Sequence, residues 1–423
     1  MAQPFILPVS LFQKTSLCKH VEQQVNEFQN TWHRSARHCL PLIRLYKKSD
    51  QQRREALLRQ FITQIQTEDV ANRIEEKSVQ KDLFAKVHSL FRSGLDIDAP
   101  SLDLILSPDC KASTELFIRK ARTFDALLSS ADLFQACRNV WIMNGLQLML
   151  NLPVRLTDSM LAYSLLYPYT DNYVMITNPL PVKQQFNNRF AQRLAGFRFF
   201  ALNQHEEKIY TLVEMIESEY DRRQFPRVFE SLLAIHQAQT KSVLLLQSDL
   251  LPEDQILRIS LEKGGTSVVA DGYLVAGNLS YDQERFMFGY GAYLQLLDDL
   301  QDVNQDAQSG QQSLFTLESE HTGLDAITTQ TFNFGETVLS KDYGFPGKDT
   351  PMYVQLMQIS IQLMLLEAAG FACDRFTAPY VRTLKPFAVS FFSVAGHEIQ
   401  ARPVLRITVR QIDLIVLKKT LRI

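Results

Sequence analysis

Apolar residues recur at three- and four-residue intervals over most of the chain, which is the spacing of one face of an α-helix. Between residues 15 and 95 they are set among Gln, Glu, Lys and Arg, as in QQRREALLRQFITQIQTEDV. This predicts two or three amphipathic surface helices forming an N-terminal extension. From about residue 115 the pattern turns more apolar and aromatic: ELFIRKARTFDALLSSADLFQACRNVWIMNGLQLML, then TDSMLAYSLLYPYTDNY. Thr157 or Asp158 suits an N-cap for the second of these. One long helical stretch follows from about 183 to 220. Further helices are predicted over 226–248, 252–263, 267–278, 281–307 and 351–371, with Gly264–Gly265 breaking the chain between 263 and 267. QDAQSGQQS and GFPGKDTPM read as polar loops. The tail RITVRQIDLIVLKKTLRI is β-branched enough to leave its element open. The pattern predicts an all-α fold with little strand.

Composition narrows this further. The chain has 423 residues with only 16 Gly and 16 Pro, favouring long helices over many-turned β structure. That length allows one large domain or two to three ordinary ones. With 44 basic and 46 acidic side chains the formal charge is −2, which argues against a nucleic-acid partner. Five scattered cysteines without a CxxC pair read as reduced thiols, neither a disulfide framework nor a zinc site. No apolar run approaches the roughly 18 residues of a membrane span. The start, MAQPFILPVSLFQKTSLCKH, lacks the features of a signal peptide. A cytoplasmic location without a transmembrane segment is expected.

The most informative segment is FMFGYGAYLQLLDDLQDVNQDAQSG. Asp298, Asp302 and Asp306 stand four residues apart, within about 80° of one helix face and about 6 Å per step. Gln295, Gly291 and Phe288 continue that stripe, and Asp299 lies on its edge. Like charges at this spacing destabilise a helix by about 0.2–0.5 kcal/mol per pair, and acids near a helix C-terminus oppose its dipole. A cation removes both penalties. Hard oxygen ligands of this kind suit Mg²⁺, which bridges carboxylates to substrate phosphates. The alternative is an acidic face in water.

LRISLEKGGTSVVADGYLVAG, followed by FGYGAYLQLLDDLQDVNQD and Gly310, resembles the second half of the class I isoprenoid synthases, a superfamily that includes terpene and prenyl diphosphate synthases. Lys263, Gln295, Asp298, Asp299 and Asp302 match the Lys-Thr and FQxxDDxxD motifs of trans-prenyl diphosphate synthases. The string DDLQDVNQDAQSG also resembles the second acidic motif of squalene and phytoene synthases. It fits the NDxxSxxxE spacing of terpene cyclases too, with Asp298, Asp302 and Asp306 in the ligand places. The resemblance covers roughly 50 residues and is nearest to bacterial-type terpene synthases. It implies a single α-helical bundle around a central cavity: an extension over 1–100, a synthase-like domain over 101–340, and C-terminal helices over 341–423 completing the bundle.

Such enzymes carry a second acidic helix upstream. YSLLYPYTDNYVMITN supplies Asp171 and Asn172, with Met175 where a further acid is expected. The other reading of Asp171 is a turn residue after Pro168. Asp125 through Asp132 lies further upstream and reads as helix surface. The implied metal ligands are Asp171, Asn172, Asp298, Asp299, Asp302 and Asp306, with Asp171, Asp298 and Asp302 central to catalysis. Candidate diphosphate-binding residues are Lys263, Arg189, Arg193 and Arg375, with Lys241 a further choice by position. In Arg375-Phe376 the Tyr of the cyclases' Arg-Tyr pair is replaced. Tyr163, Tyr167, Tyr173, Phe197, Phe199, Phe200, Phe288 and Tyr293 cluster near the acidic segments, where rings stabilise carbocations or simply form core. His236 reads as a hydrogen-bonded structural histidine, and His33 and His38 match no metal motif.

The resemblance implies a Mg²⁺-dependent carbon–oxygen lyase that ionises and cyclises a linear prenyl diphosphate of C15–C25, with a homodimer allowed. Squalene- or phytoene-synthase-like coupling and chain elongation are the alternatives among enzymes. The missing Arg-Arg after Asp171 disfavours elongation. The alternative of another class is a non-catalytic binding protein on the same fold, favoured by the incomplete first motif.

Overall fold

A computed structural model describes residues 11–41, 43–66, 88–95, 97–175, 180–246 and 249–388. Sixteen α-helices and no strand are present among them. They are α1 Leu17–Arg34, α2 Lys48–Gln66, α3 Ala99–Ile105, α4 Pro108–Phe124, α5 Ser130–Met149, α6 Asp158–Met175, α7 Leu180–Leu194 and α8 Gln204–Glu219. There follow α9 Pro226–Ser242, α10 Glu253–Ala276, α11 Tyr281–Gln301, α12 Val303–Ser309, α13 Leu314–His321, α14 Asp325–Leu339, α15 Thr350–Phe371 and α16 Ala378–Leu384. The all-α expectation holds. The expected β-branched tail lies outside the described residues.

The antiparallel pair α10–α11 forms the centre. Both helices are apolar around most of their circumference, from Ile256 to Val275 in α10 and from Phe286 to Leu300 in α11, so both sit inside the bundle. Gly277, at φ 73°, ends α10, and the Ser280–Gln283 capping box starts α11. Helices α9, α5 and α6 pack on α10, and α14 and α15 on α11.

Several boundaries differ from the sequence reading. The segments 252–263 and 267–278 form the single helix α10, and Gly264–Gly265 does not break it. The pair lies where α11 presses against α10, and the packing outweighs the propensity cost of about 1 kcal/mol per Gly. The stretch 183–220 is divided by a loop, in which Gly196 takes φ 96°. The stretch 226–248 ends its α-helix at Ser242 and continues as a 3₁₀ turn, Val243–Leu246. The stretch 281–307 bends at Asp302, whose φ −97° and ψ 2° separate α11 from α12. Helix α6 runs through Pro168 to Met175, so the backbone at Asp171 is helical and not a turn. Thr157 caps α6, its hydroxyl accepting from Met160 N–H at 3.3 Å.

The N-terminal region is more than surface. Leu17, Val21, Val25, Phe28 and Trp32 of α1 are buried, and Phe28 stacks on Phe288 with centroids 5.7 Å apart. The amphipathic stripe was legible, but the aromatic partners that draw it inward come from α11 and α14. Asp125 is also not plain helix surface: it bonds Lys208 at 2.6 Å and the Tyr169 hydroxyl. All five cysteines are free thiols. Among the described residues one helix, α15, is long and apolar enough to cross a membrane, and half of its apolar stretch is buried in the bundle. Core helices share that property.

Candidate functional site

The site begins with two glycines. A Cβ on Gly264 would lie 2.3 Å from the Gly291 carbonyl oxygen, and one on Gly291 would lie 2.1 Å from that of Gly264. The backbones of α10 and α11 therefore touch here, and only hydrogen fits at either Cα. One turn away, this contact sets Ser260 and Lys263 against Gln295 and Asp299. Ser260 Oγ donates to Asp299 Oδ2 at 3.0 Å, and Gln295 Nε2 donates to Asp299 Oδ1 at 2.8 Å.

These residues line a cavity of about 100 Å³. Its other walls are Thr170 of α6, Phe186, Asn187 and Phe190 of α7, His236, Gln239 and Thr240 of α9, and Gln311 and Gln312 beyond α12. Gln312 fixes the rim: its backbone N–H donates to Leu245 O at 2.8 Å, and its side chain bonds Asp249 O and Leu251 N–H at 2.9 Å each. The walls combine amides, hydroxyls and one lysine with phenylalanine and leucine.

Charge here is strongly coupled. Burial pushes the Asp299 carboxyl up to about 6, opposed by the bonds from Gln295 and Ser260 and by the Lys263 charge, while Asp298 adds to the rise. Asp306 is pushed up to about 7 by burial and by the charges of Asp299, Asp302 and Asp298, with Lys263 opposing. Burial brings His236 down to about 4. It is neutral near pH 7, its Nε2 3.0 Å from Asn187 O.

The expected residues are thus only partly brought together. Asp299, placed by sequence at the edge of the stripe, is the aspartate on the cavity wall, whereas Asp298 is not among the lining residues. The glycine contact and the Gln295–Asp299 bond set which face of α11 turns inward. Asp302 and Asp306 join Asp299 electrostatically at the α11–α12 bend. The Lys263 side chain lines the cavity and, among the described residues, makes no hydrogen bond or ion pair, acting on Asp299 and Asp306 through its charge. Lys241 is committed to Glu262 at 2.7 Å. Arg189 pairs with Glu206 at 3.0 Å, and Arg193 with Glu217 at 2.7 Å; neither lines the cavity. Arg375 reaches the acidic segment indirectly, through a 2.6 Å bond to Asn304, between Asp302 and Asp306. The side chains of Asp171 and Asn172 lie outside the described residues, but their neighbour Thr170 lines the cavity. Sequence reasoning missed Ser260 and Thr240. The signal for Ser260 was the glycine pair facing a GxG run, which marks a close helix crossing; nothing in the local pattern marked Thr240, on α9.

Among the described residues no three His, Cys, Asp or Glu side chains converge to hold a metal ion. Mg²⁺ is commonly bound by one or two carboxylates with water and substrate phosphates completing its shell. Asp299 and Asp306 fit that mode in donor type and charge: burial is the main cause of the rise at Asp306, and the repulsion from Asp299, Asp302 and Asp298 that adds to it is what a cation relieves. A scan of protein-family models and searches of curated proteins and of solved structures find no match to this chain.

Proposed function

We propose that the chain is a class I isoprenoid synthase-type enzyme that ionises and cyclises a prenyl diphosphate at the α10–α11 cavity. The observation that carries this reading is that Thr170, next to Asp171 on α6, lines one cavity with Asp299 on α11 and Lys263 on α10. A cavity shared by α6 and α11 supports the reading that both helices serve one diphosphate. Lys263 neutralises charge as the allylic carbon–oxygen bond breaks and its electron pair leaves on the diphosphate. Ser260 and Gln295 hold Asp299 in place. Phe186 and Phe190 offer ring faces and exclude water near the allylic cation. Asp299 and Asp306, with Asp302, would hold Mg²⁺, which supplies Lewis-acid charge for the leaving group. One lysine on the wall suits one diphosphate, which favours cyclisation over coupling of two substrates.

The test is incubation with C10–C25 prenyl diphosphates, with and without Mg²⁺, reading diphosphate release and hydrocarbon mass. Mg²⁺-dependent release is expected, lowered about 100-fold or more by Asp299→Asn or Lys263→Ala with unchanged helical circular dichroism. A product of doubled carbon number would indicate coupling. Mg²⁺-dependent binding of a non-hydrolysable prenyl thiodiphosphate without turnover would indicate a binding protein. Neither binding nor release would reject the site.

A further inference from the structure

Helix α9 gives the cavity a nitrogen base. His236 is 9% exposed and lines the wall together with Gln239 and Thr240. Its Nε2 lies 3.0 Å from Asn187 O, a carbonyl that can only accept, so this nitrogen carries the proton of the neutral ring. Nδ1 is therefore the bare nitrogen, and it makes no hydrogen bond among the described residues. The ring stands edge-on to Phe190, centroids 5.0 Å apart, and Phe190 stacks on Phe186 at 5.9 Å. Burial keeps the imidazole neutral near pH 7, and no acid pairs with it among the described residues. The bond to Asn187 thus uses one nitrogen and leaves a lone pair at the wall of a cavity lined by rings.

We infer that His236 is the base that ends the reaction, taking on Nδ1 the proton that the carbocation loses. This rests on the prenyl diphosphate reading of the cavity. The cation forms where diphosphate leaves, at Lys263, and Phe186 and Phe190 hold it beside the imidazole. A carbon–hydrogen bond next to the cationic carbon then breaks. Its electron pair becomes the new carbon–carbon double bond, the proton goes to the Nδ1 lone pair, and the product is a neutral olefin. The imidazolium returns its proton to water once the product has left. A carbocation is a far stronger acid than any imidazolium, so a weak base suffices, provided that it is unprotonated and in reach. Burial secures the first condition, and the bond to Asn187, which fixes tautomer and ring orientation, secures the second. The competing acceptor is the departed diphosphate itself, held by Lys263.

His236→Gln decides between the two acceptors. Its amide nitrogen takes the place of Nε2 and keeps the bond to Asn187 O, while the basic nitrogen is lost. Ionisation precedes the proton transfer, so Mg²⁺-dependent diphosphate release from the C10–C25 prenyl diphosphates should stay within about twofold of wild type. The share of the wild-type olefin among the products should fall about tenfold or more, with isomeric olefins or alcohols from water capture in its place. An unchanged product mixture means that the diphosphate takes the proton and overturns the inference. Release and olefin falling together, in fixed proportion, overturn it as well. Nitrogen-15 NMR of the histidine-labelled full chain reads the tautomer without turnover: a proton on Nε2 and none on Nδ1 of His236 is expected, and the reverse overturns the inference. Wild type that releases no diphosphate from any of these substrates rejects the catalytic reading, whatever the tautomer, and removes the inference with it.

Discussion

Asp299 and Asp306 hold protons more tightly in the folded chain than an ordinary aspartate does, at about 6 and about 7. An acid raised in this way contributes stability that is complete below its unfolded value near 4 and is lost as the pH rises through the folded value. Buried His236, lowered to about 4, contributes with the opposite sign over the same range, so the melting temperature of the wild type should fall between pH 4 and 7 relative to that of Asp306→Asn, and Mg²⁺ should restore part of the loss at pH 7.5 but none at pH 5. Parallel profiles of wild type and Asp306→Asn in thermal scans, or equal effects of Mg²⁺ at both pH values, would contradict the coupled carboxylates. Asp271 is a sharper case. It is 1% exposed, neither carboxyl oxygen has a hydrogen-bond partner, and burial holds it well above the usual carboxylate range. Asp271→Leu removes an unsatisfied buried acid and should stabilise the protein at neutral pH by about 1–3 kcal/mol in denaturant titrations. No sequence pattern marked Asp271, because an isolated acid in an apolar helix carries no spacing signal.

At the level of elements, the α10–α11 contact organises the site. Gly291→Ala places a methyl group against the Gly264 carbonyl and must push the helices apart, costing about 1–3 kcal/mol or more. The same shift separates Ser260 from Asp299. Ligand affinity should fall together with stability, whereas Ala292→Gly, on the same helix, should lose stability alone; calorimetry measures both. Helix identity along this region was largely legible from periodicity and capping, as at Thr157 and in the helix near 351–371. Helix ends were not. Gly264–Gly265 reads as a break in isolation and becomes a packing surface only when Gly291 is opposite it. Likewise, the acidic ladder was visible as a pattern, but which aspartate faces inward depends on a neighbouring helix.

Across the whole molecule, α1 ties the N-terminal region to the centre. Glu284, 1% exposed, accepts from Gln24 Nε2 at 2.8 Å and from the Tyr273 hydroxyl, with His20 Nδ1 3.1 Å away. This polar knot fixes α1 at one end, and Trp32 against Phe334, centroids 5.8 Å apart, fixes it at the other. Trp32→Ala should cost about 3–5 kcal/mol and lower a single cooperative transition. A separate early transition would instead mark the region as an independent extension. Local pattern read α1 only as an amphipathic surface helix, because the partners that bury its apolar stripe lie some 250–300 residues later in the chain. The touching backbones of α10 and α11 also limit how this chain can diversify. With no Cβ tolerated at the crossing, the separation of α10 and α11 is fixed, and the shape of the cavity can change only through the side chains on its walls, such as the rings of α7 and the amides of α9.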